Sequence, residues 1–381
     1  MNAKLEKANV FDFLRLFAAF SVLIQHSVGH LGVNFLWLQP GGSIWFYDGV
    51  PLFFVLSGML VYYSYERHVK DSKPLKFYVT NRFLRVAPAI YTYAIITTIV
   101  LLIIGVISLK TLITVKFLAW FSGNFLLTPI AYPNIFKSFG TGVVNGSLWT
   151  IPQEFSFYLF VPIIFMIERK FGFKKMFIFL IAISILGIVL LQALNTTLGE
   201  SNMITFLYIH SFLPYMIYFS MGIFWLKCWS KVKSNGFMAL LSILVYFGIR
   251  NLTVLDHVLG PYLKLLWIIP LSYSVIWFGY NGPSILHKMV KKTGDLSFGV
   301  YIWHMVIINL FMYYNVTKTL AGWPSTLIHV LVIISTFVLA ALSWRFIERP
   351  VLKFKPYTSR AGMEDESKRT ENLIVANEYI N

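Results

Sequence analysis

Charge is scarce in this sequence. Only 13% of its 381 residues are Asp, Glu, Lys or Arg, against roughly 25% in soluble domains. At the same time 57% are hydrophobic. That balance excludes a water-soluble globule and describes an integral membrane protein. Acids are scarcer than bases, 16 against 32, for a net charge of +16. The single cysteine, Cys228, permits no internal disulfide. Walker loops, dinucleotide fingerprints and metal-ligand clusters are absent, as is a G-x-S-x-G nucleophile elbow. No internal repeat and no stretch long enough for an independent soluble core interrupts the chain.

What is there is a series of apolar runs near spanning length. They fall at about 11–28, 46–66, 88–107, 148–167, 176–194, 204–226, 236–250, 263–280, 297–315 and 325–345. This predicts an all-α membrane protein of about ten spans, with both termini on one side. With that side cytoplasmic, 26 of the 32 Lys and Arg face the cytosol, as the positive-inside rule requires. The positive charge is thus membrane topology and not a nucleic-acid surface. The stretch 112–130 is read as an outer re-entrant or surface segment, because a crossing there would invert every later loop. The first span has no small-x-small cleavage site and is expected to stay. Residues 1–355 form the transmembrane domain, and 356–381, polar and of mixed charge, a disordered cytoplasmic tail.

An ionisable group inside a span costs ~3 kcal/mol or more and needs an explanation. The first span brackets ten uncharged residues between Arg15 and His26. Eleven positions make about 1100°, three turns plus about 20°, so both side chains share a face roughly 16 Å apart along the axis. Asp12 falls on nearly the same face. Glu154 is the one acid well inside apolar sequence, about 9 Å below the outer surface by residue count. Arg82 and Arg85, at i and i+3, present a fork that matches phosphate oxygens, although positive-inside arginines are expected there in any case. Tyr301 and His304 share a helical face. Ser57 beside Gly58 reads as a close helix contact, and Glu348 stands in a charged helix stop. The other histidines, His30, His68, His210, His257, His287 and His329, read as interfacial or packing residues. These observations alone do not separate an enzyme from a carrier that exports a polysaccharide precursor.

The order of the motifs resembles the membrane-bound acyltransferase family 3. Asp12 and Arg15 match a D-x-x-R, and Arg15 with His26 an R-x10-H. "FFVLSG" at 53–58, Arg82-x-x-Arg85, Trp149-Thr150-x-x-x-Glu154 with "FYLFVPII", Ser297-x3-Tyr301-x2-His304 and "FIERP" follow in order across 11–350. Gln153 and Phe155 flank Glu154 where many relatives carry a second carboxylate or a small residue. The fused esterase-like domain of some members is not read in this chain.

The resemblance implies a multi-pass protein of a bacterial-type plasma membrane. It would transfer an acyl group, acetyl first, from cytosolic acyl-CoA to a hydroxyl of a surface or lipid-linked glycan such as O-antigen, capsule or exopolysaccharide. Acetyl-CoA is then a donor substrate, with no metal. Arg82 and Arg85, with Tyr301 and His304, would hold the donor, and Arg15 would steer its pantetheine or thioester. His26 would act as base, with Glu154 orienting the imidazole. Asp12, Ser57, Trp149 and Glu348 would support them.

Overall fold

The computed structural model describes residues 9–36, 38, 48–232, 235–251, 259–320 and 322–356. The tail expected over 356–381 lies outside the described residues from 357 onward, as does His257. Apart from one β-bridge between Phe35 and Leu38, the described secondary structure is helical. The helices are α1 (Phe11–Leu31), α2 (Gly49–Lys70), α3 (Leu75–Ile103), α4 (Val115–Phe125), α5 (Ile151–Phe171), α6 (Phe173–Leu198) and α7 (Met203–Ile209). There follow α8 (Met216–Cys228), α9 (Gly236–Asn251), α10 (Lys264–Asn281), α11 (Ser284–Thr293), α12 (Ser297–Tyr313) and α13 (Ser325–Ser343).

Among these, six helices are long and apolar enough to cross a membrane, or eight if two bent pairs count as spans. Two further segments belong to the count of ten, and neither meets that measure: α9 has only 16 residues, about 24 Å against a ~30 Å core. Of the other segment, α2, the length suffices, but its last turns carry Glu66, Arg67 and Lys70. Helix α4 has 11 residues, about 16 Å, and so cannot cross.

Burial sorts the helices into a centre and a rim. On α12 every residue from Ser297 to Asn309 is buried, and it packs along α1 and α13. Helices α2 and α8 cross at two glycines. A Cβ on Gly58 would lie 2.0 Å from the Phe219 carbonyl oxygen, and one on Gly222 2.1 Å from that of Val55. Only glycine permits this backbone approach. At the rim, α6 leaves Ile178 67% and Leu186 54% exposed. Apolar side chains in that position suit lipid, which solvates them as well as a core does.

Two features set the site. The bend of 69° between α11 and α12 occurs at Gly294, whose φ of +88° is open to glycine. It delivers Asp295 to the start of α12. The loop before α5 enters the bundle instead of lying on its surface. Asn309 of α12 donates to the carbonyls of Val143 (2.9 Å) and Val144 (3.0 Å), and Asn145 donates to Ile302 O at 2.7 Å.

Candidate active site

At one end of the α1–α12 interface, Asp295 gathers two arginines from different helices. Arg15 of α1 donates to Asp295 Oδ2 at 3.1 Å, and Arg85 of α3 donates to the same oxygen. The other carboxylate oxygen, Oδ1, accepts the Ser297 hydroxyl at 2.5 Å and the Ser297 amide at 3.2 Å, an Asx-type turn just ahead of α12. Glu348, buried in a π-helical turn over Trp344–Glu348, accepts from Ser343 Oγ at 3.0 Å and lies within electrostatic reach of Arg85, Asp295 and Arg15. Beyond the spans, Lys355 lies near Arg85, Arg82 and Arg15, and its pKa is pushed down to about 8, first by burial and then by those cations.

At the other end stand two imidazoles. His26 Nδ1 lies 2.8 Å from His304 Nε2, with ring centroids 5.1 Å apart and planes 16° from parallel. His304 Nδ1 lies 3.1 Å from the Val300 carbonyl oxygen. A carbonyl only accepts, so His304 Nδ1 carries the proton. Neutral His304 therefore presents a lone pair at Nε2, and His26 Nδ1 donates to it. The remaining nitrogen, His26 Nε2, is left as the basic atom. A neutral partner thus fixes the tautomer, the task a carboxylate performs in a serine-protease triad.

Beside this pair, Ser27 and His329 form a second chain. His329 Nε2 is 3.1 Å from Val33 O, so that nitrogen donates. His329 Nδ1 then accepts the Ser27 hydroxyl at 2.7 Å. Both residues are fully buried, and together they tie the C-terminal end of α1 to α13.

Beside the ionic end opens a narrow cavity lined among others by Arg15, Ser57, Thr150, Glu154, Ser297 and Tyr301. Tyr301 donates to Ser147 O at 2.5 Å. Its one proton being used, Thr150 must donate to the Tyr301 oxygen at 2.6 Å. The Glu154 carboxylate accepts from Tyr158, one turn along α5.

The expected pairing of Glu154 with His26 is therefore not formed. The partner of His26 is His304, and Glu154 faces the cavity that Arg15 also lines. The inserted loop starts α5 inside the bundle, where Thr150 meets Tyr301. Asp12 is exposed, and among the described residues it enters no ion pair, so its alignment with Arg15 and His26 does not bring it to the cavity. Arg82 turns from Arg85 and donates to Ser64 Oγ at 2.6 Å. Trp149 packs against the rings of Tyr215 (5.1 Å) and His210 (6.2 Å). Asp295 escaped the sequence reading, although an acid two residues before Ser297 at a glycine break was its available signal. Among the described residues no group of three or more His, Cys, Asp and Glu could hold a metal ion.

The sequence model described as an acyltransferase domain matches residues 9–345. The chain is 27% identical to "Nodulation protein 10" of Rhizobium leguminosarum bv. viciae, over 91% of this chain and 94% of that protein. It is 26% identical to "Peptidoglycan O-acetyltransferase OatA" of Listeria monocytogenes, over 90% and 55%. To "Putative peptidoglycan O-acetyltransferase YrhL" of Bacillus subtilis the figures are 25%, 89% and 54%. The chain spans about half the length of these last two relatives. No solved structure gives a significant match.

Proposed function

The chain belongs to the acyltransferase 3 family, and from that premise we propose that it transfers acetyl from cytosolic acetyl-CoA to a hydroxyl of a cell-surface glycan. Two of the relatives named above carry O-acetyltransferase names that specify peptidoglycan. In this reading ten segments cross a bacterial-type plasma membrane and both termini face the cytosol, counting α2 and α9 as crossings. The 26 cytosolic Lys and Arg support that orientation.

The observation that carries the reading is the division of chemistry along one interface. Cations that suit phosphate cluster at the end bearing Arg15 and Arg85, and a poised base stands at the other, about 16 Å along α1. A donor and an acceptor in separate compartments need a fixed span between binding and chemistry, and one rigid helix supplies it. The pantetheine arm would enter by the cavity beside the ionic end, with Arg15 and Glu154 on its walls and Ser57, Thr150 and Tyr301 around it. Glu154 would accept hydrogen bonds from the pantetheine amides.

His26 Nε2 takes the proton of the acceptor hydroxyl as its oxygen attacks the thioester carbonyl carbon. The C–O bond forms, the C–S bond breaks, and the thiolate leaves with the proton returned from His26. The products are the acetyl ester and CoA thiol. His304 holds the imidazole in the tautomer this requires.

Purified protein in liposomes, given radiolabelled acetyl-CoA and a surface-glycan extract, tests this. Wild type is expected to label the glycan and His26→Ala not to. Equal labelling by both would remove His26 from the mechanism. Glycan movement without any thioester consumption would replace the enzyme by a carrier.

A further inference from the structure

The ten residues of α11, SILHKMVKKT, hold three lysines and no acid. Its neighbour α12 packs along α1 and α13, both long and apolar enough to cross a membrane. A helix bent 69° from α12 therefore lies closer to the membrane plane than to its normal. Its depth is set by α1. His287 Nδ1 is 2.8 Å from the Asn9 carbonyl oxygen, and a carbonyl only accepts, so His287 donates. Asn9 stands two residues before α1 begins. Helix α11 is thus level with the point where the first helix enters the bilayer.

At 100° per residue the faces of α11 separate. Val290 is buried and faces the bundle. Lys288 and Lys292 are exposed on the far side, roughly 160° round from it. Between them and the core, roughly 60° from the lysines, Ile285 and Met289 form an apolar pair that is 69% and 41% exposed. Lys291, also exposed, extends the basic side. Among the described residues none of the three lysines enters an ion pair. A helix that lies in the interface sets apolar side chains at the acyl boundary and ammonium groups among the headgroups. Three unanswered cations favour anionic headgroups over zwitterionic ones.

We propose that α11 is a docking surface for anionic phospholipids, with Lys288, Lys291 and Lys292 on the headgroup phosphates and Ile285 and Met289 in the acyl boundary. In the orientation read above, this is the cytosolic leaflet. Docking there bears on the site. Helix α11 ends at Thr293, two residues before Asp295, and a Cβ on the intervening Gly294 would lie 2.0 Å from Trp344 Nε1. With that joint closely covered, a shift of α11 is passed to Asp295, and through it to Arg15 and Arg85. The effect on rate rests on the acetyl-transfer reading; the docking itself does not.

The test uses the full chain in nanodiscs of phosphatidylcholine with a rising share of phosphatidylglycerol. Amide hydrogen exchange of 284–293 and the initial rate at saturating acetyl-CoA are read on each sample. In wild type, exchange in α11 is expected to slow and the rate to rise as phosphatidylglycerol increases. Replacing Lys288→Gln and Lys292→Gln together should weaken the apparent affinity for phosphatidylglycerol about fivefold per lysine. Lys288→Arg with Lys292→Arg keeps the charge and should keep the wild-type curve, which guards against a folding defect. Lys174→Gln with Lys175→Gln, an exposed pair at the start of α6, should also keep it. Exchange in α11 that ignores phosphatidylglycerol, or that slows equally in the glutamine pair, overturns the docking surface. Slowed exchange with an unchanged rate in an active enzyme supports the surface and overturns its link to Asp295. Slowed exchange with no acetyl transfer in any lipid supports the surface and overturns the donor reading instead.

Discussion

The two ends of the α1–α12 interface are built from different chemistry. At one, Arg15, Arg85 and Asp295 form an ionic knot that joins α1, α3 and the start of α12. At the other, His26 and His304 share one proton between neutral rings, with a backbone carbonyl as the final acceptor. Removing one member of the knot leaves an uncompensated charge away from water, which strains the fold itself. Taking away one imidazole leaves a single polar nitrogen short of a partner, a much smaller structural cost. The ionic end should therefore respond to substitution in stability, and the imidazole end in rate.

The largest expected effect lies at the imidazole end. His26→Ala should lower the rate of acetyl transfer by about 10²- to 10⁴-fold, the usual worth of a general base, with its melting temperature almost kept. His304→Ala leaves the base but frees its tautomer, and should cost roughly tenfold, within the range of general-base effects. Initial rates at saturating acetyl-CoA, with thermal unfolding of the same samples, measure both. A larger loss in His304→Ala than in His26→Ala would exchange the roles of the two rings.

The opposite signature belongs to Asp295→Asn. Two arginines then lack their carboxylate, and about 3 kcal/mol of stability should go, discounted because all three side chains keep 13–23% exposure. Adding Arg85→Gln should return part of it, since the pair is worth less than the penalty for halving it. Urea or thermal unfolding in detergent reads this. Equal stability of Asp295→Asn and wild type would reduce the knot to a surface contact.

How far these two ends were legible in the sequence differs as well. Arg15, His26 and their shared face follow from helical periodicity within one span, where a period of 3.6 determines direction. The His26–His304 contact joins residues 278 apart, and no local pattern encodes it. His304 was visible only as a histidine beside a tyrosine. Glu154 was visible as an acid in apolar sequence, but its Tyr158 partner and its place on the cavity wall were not. The loop that precedes it is polar enough to read as a surface connection, and it is drawn inside by Asn309 and Asn145. Asp295 was hidden by position, because it stands just outside the apolar run that marks α12. Of the fold, the helices of the rim were plainest, since lipid-facing helices such as α6 are apolar all round. Helix α2, buried at the centre against Gly222 of α8, carries polar residues that a hydropathy count penalises.

Smaller in expected effect than the main substitution at either end is the loss of the clamp beside His26. Ser27→Ala deprives His329 Nδ1 of its donor, and this is expected to cost about 1–2 kcal/mol of stability. Of the two hydrogen bonds that His329 makes to this end of α1, the one to Val33 would remain. A modest loss of rate should accompany it, because His26 is the next residue. His329→Asn restores a donor and acceptor and should recover more than His329→Ala in the same unfolding measurement. If neither substitution shifts the melting temperature, the chain from Ser27 to Val33 does not brace the helix.

The smallest effect tests whether the ionic end also serves the donor. Burial and the cations Arg85, Arg82 and Arg15 hold the Lys355 pKa down to about 8, below the ~10.4 of a free lysine. Between those two values the unfolded chain binds more protons than the folded one, so this residue makes stability rise with pH across that window. Binding of a phosphate should run the other way. Protonated Lys355 adds a cation beside the arginines, and a bound anion favours that form. The KM for acetyl-CoA should accordingly climb a few-fold, within the ~0.5–1 kcal/mol of a partly exposed charge contact, as pH passes from 7 to 9. Lys355→Gln should show the raised KM at every pH, and Lys355→Arg, charged throughout, the low one. Opposite slopes for stability and affinity from one side chain would tie the knot to the donor. A KM profile equally steep in Lys355→Gln would assign the titration to another group.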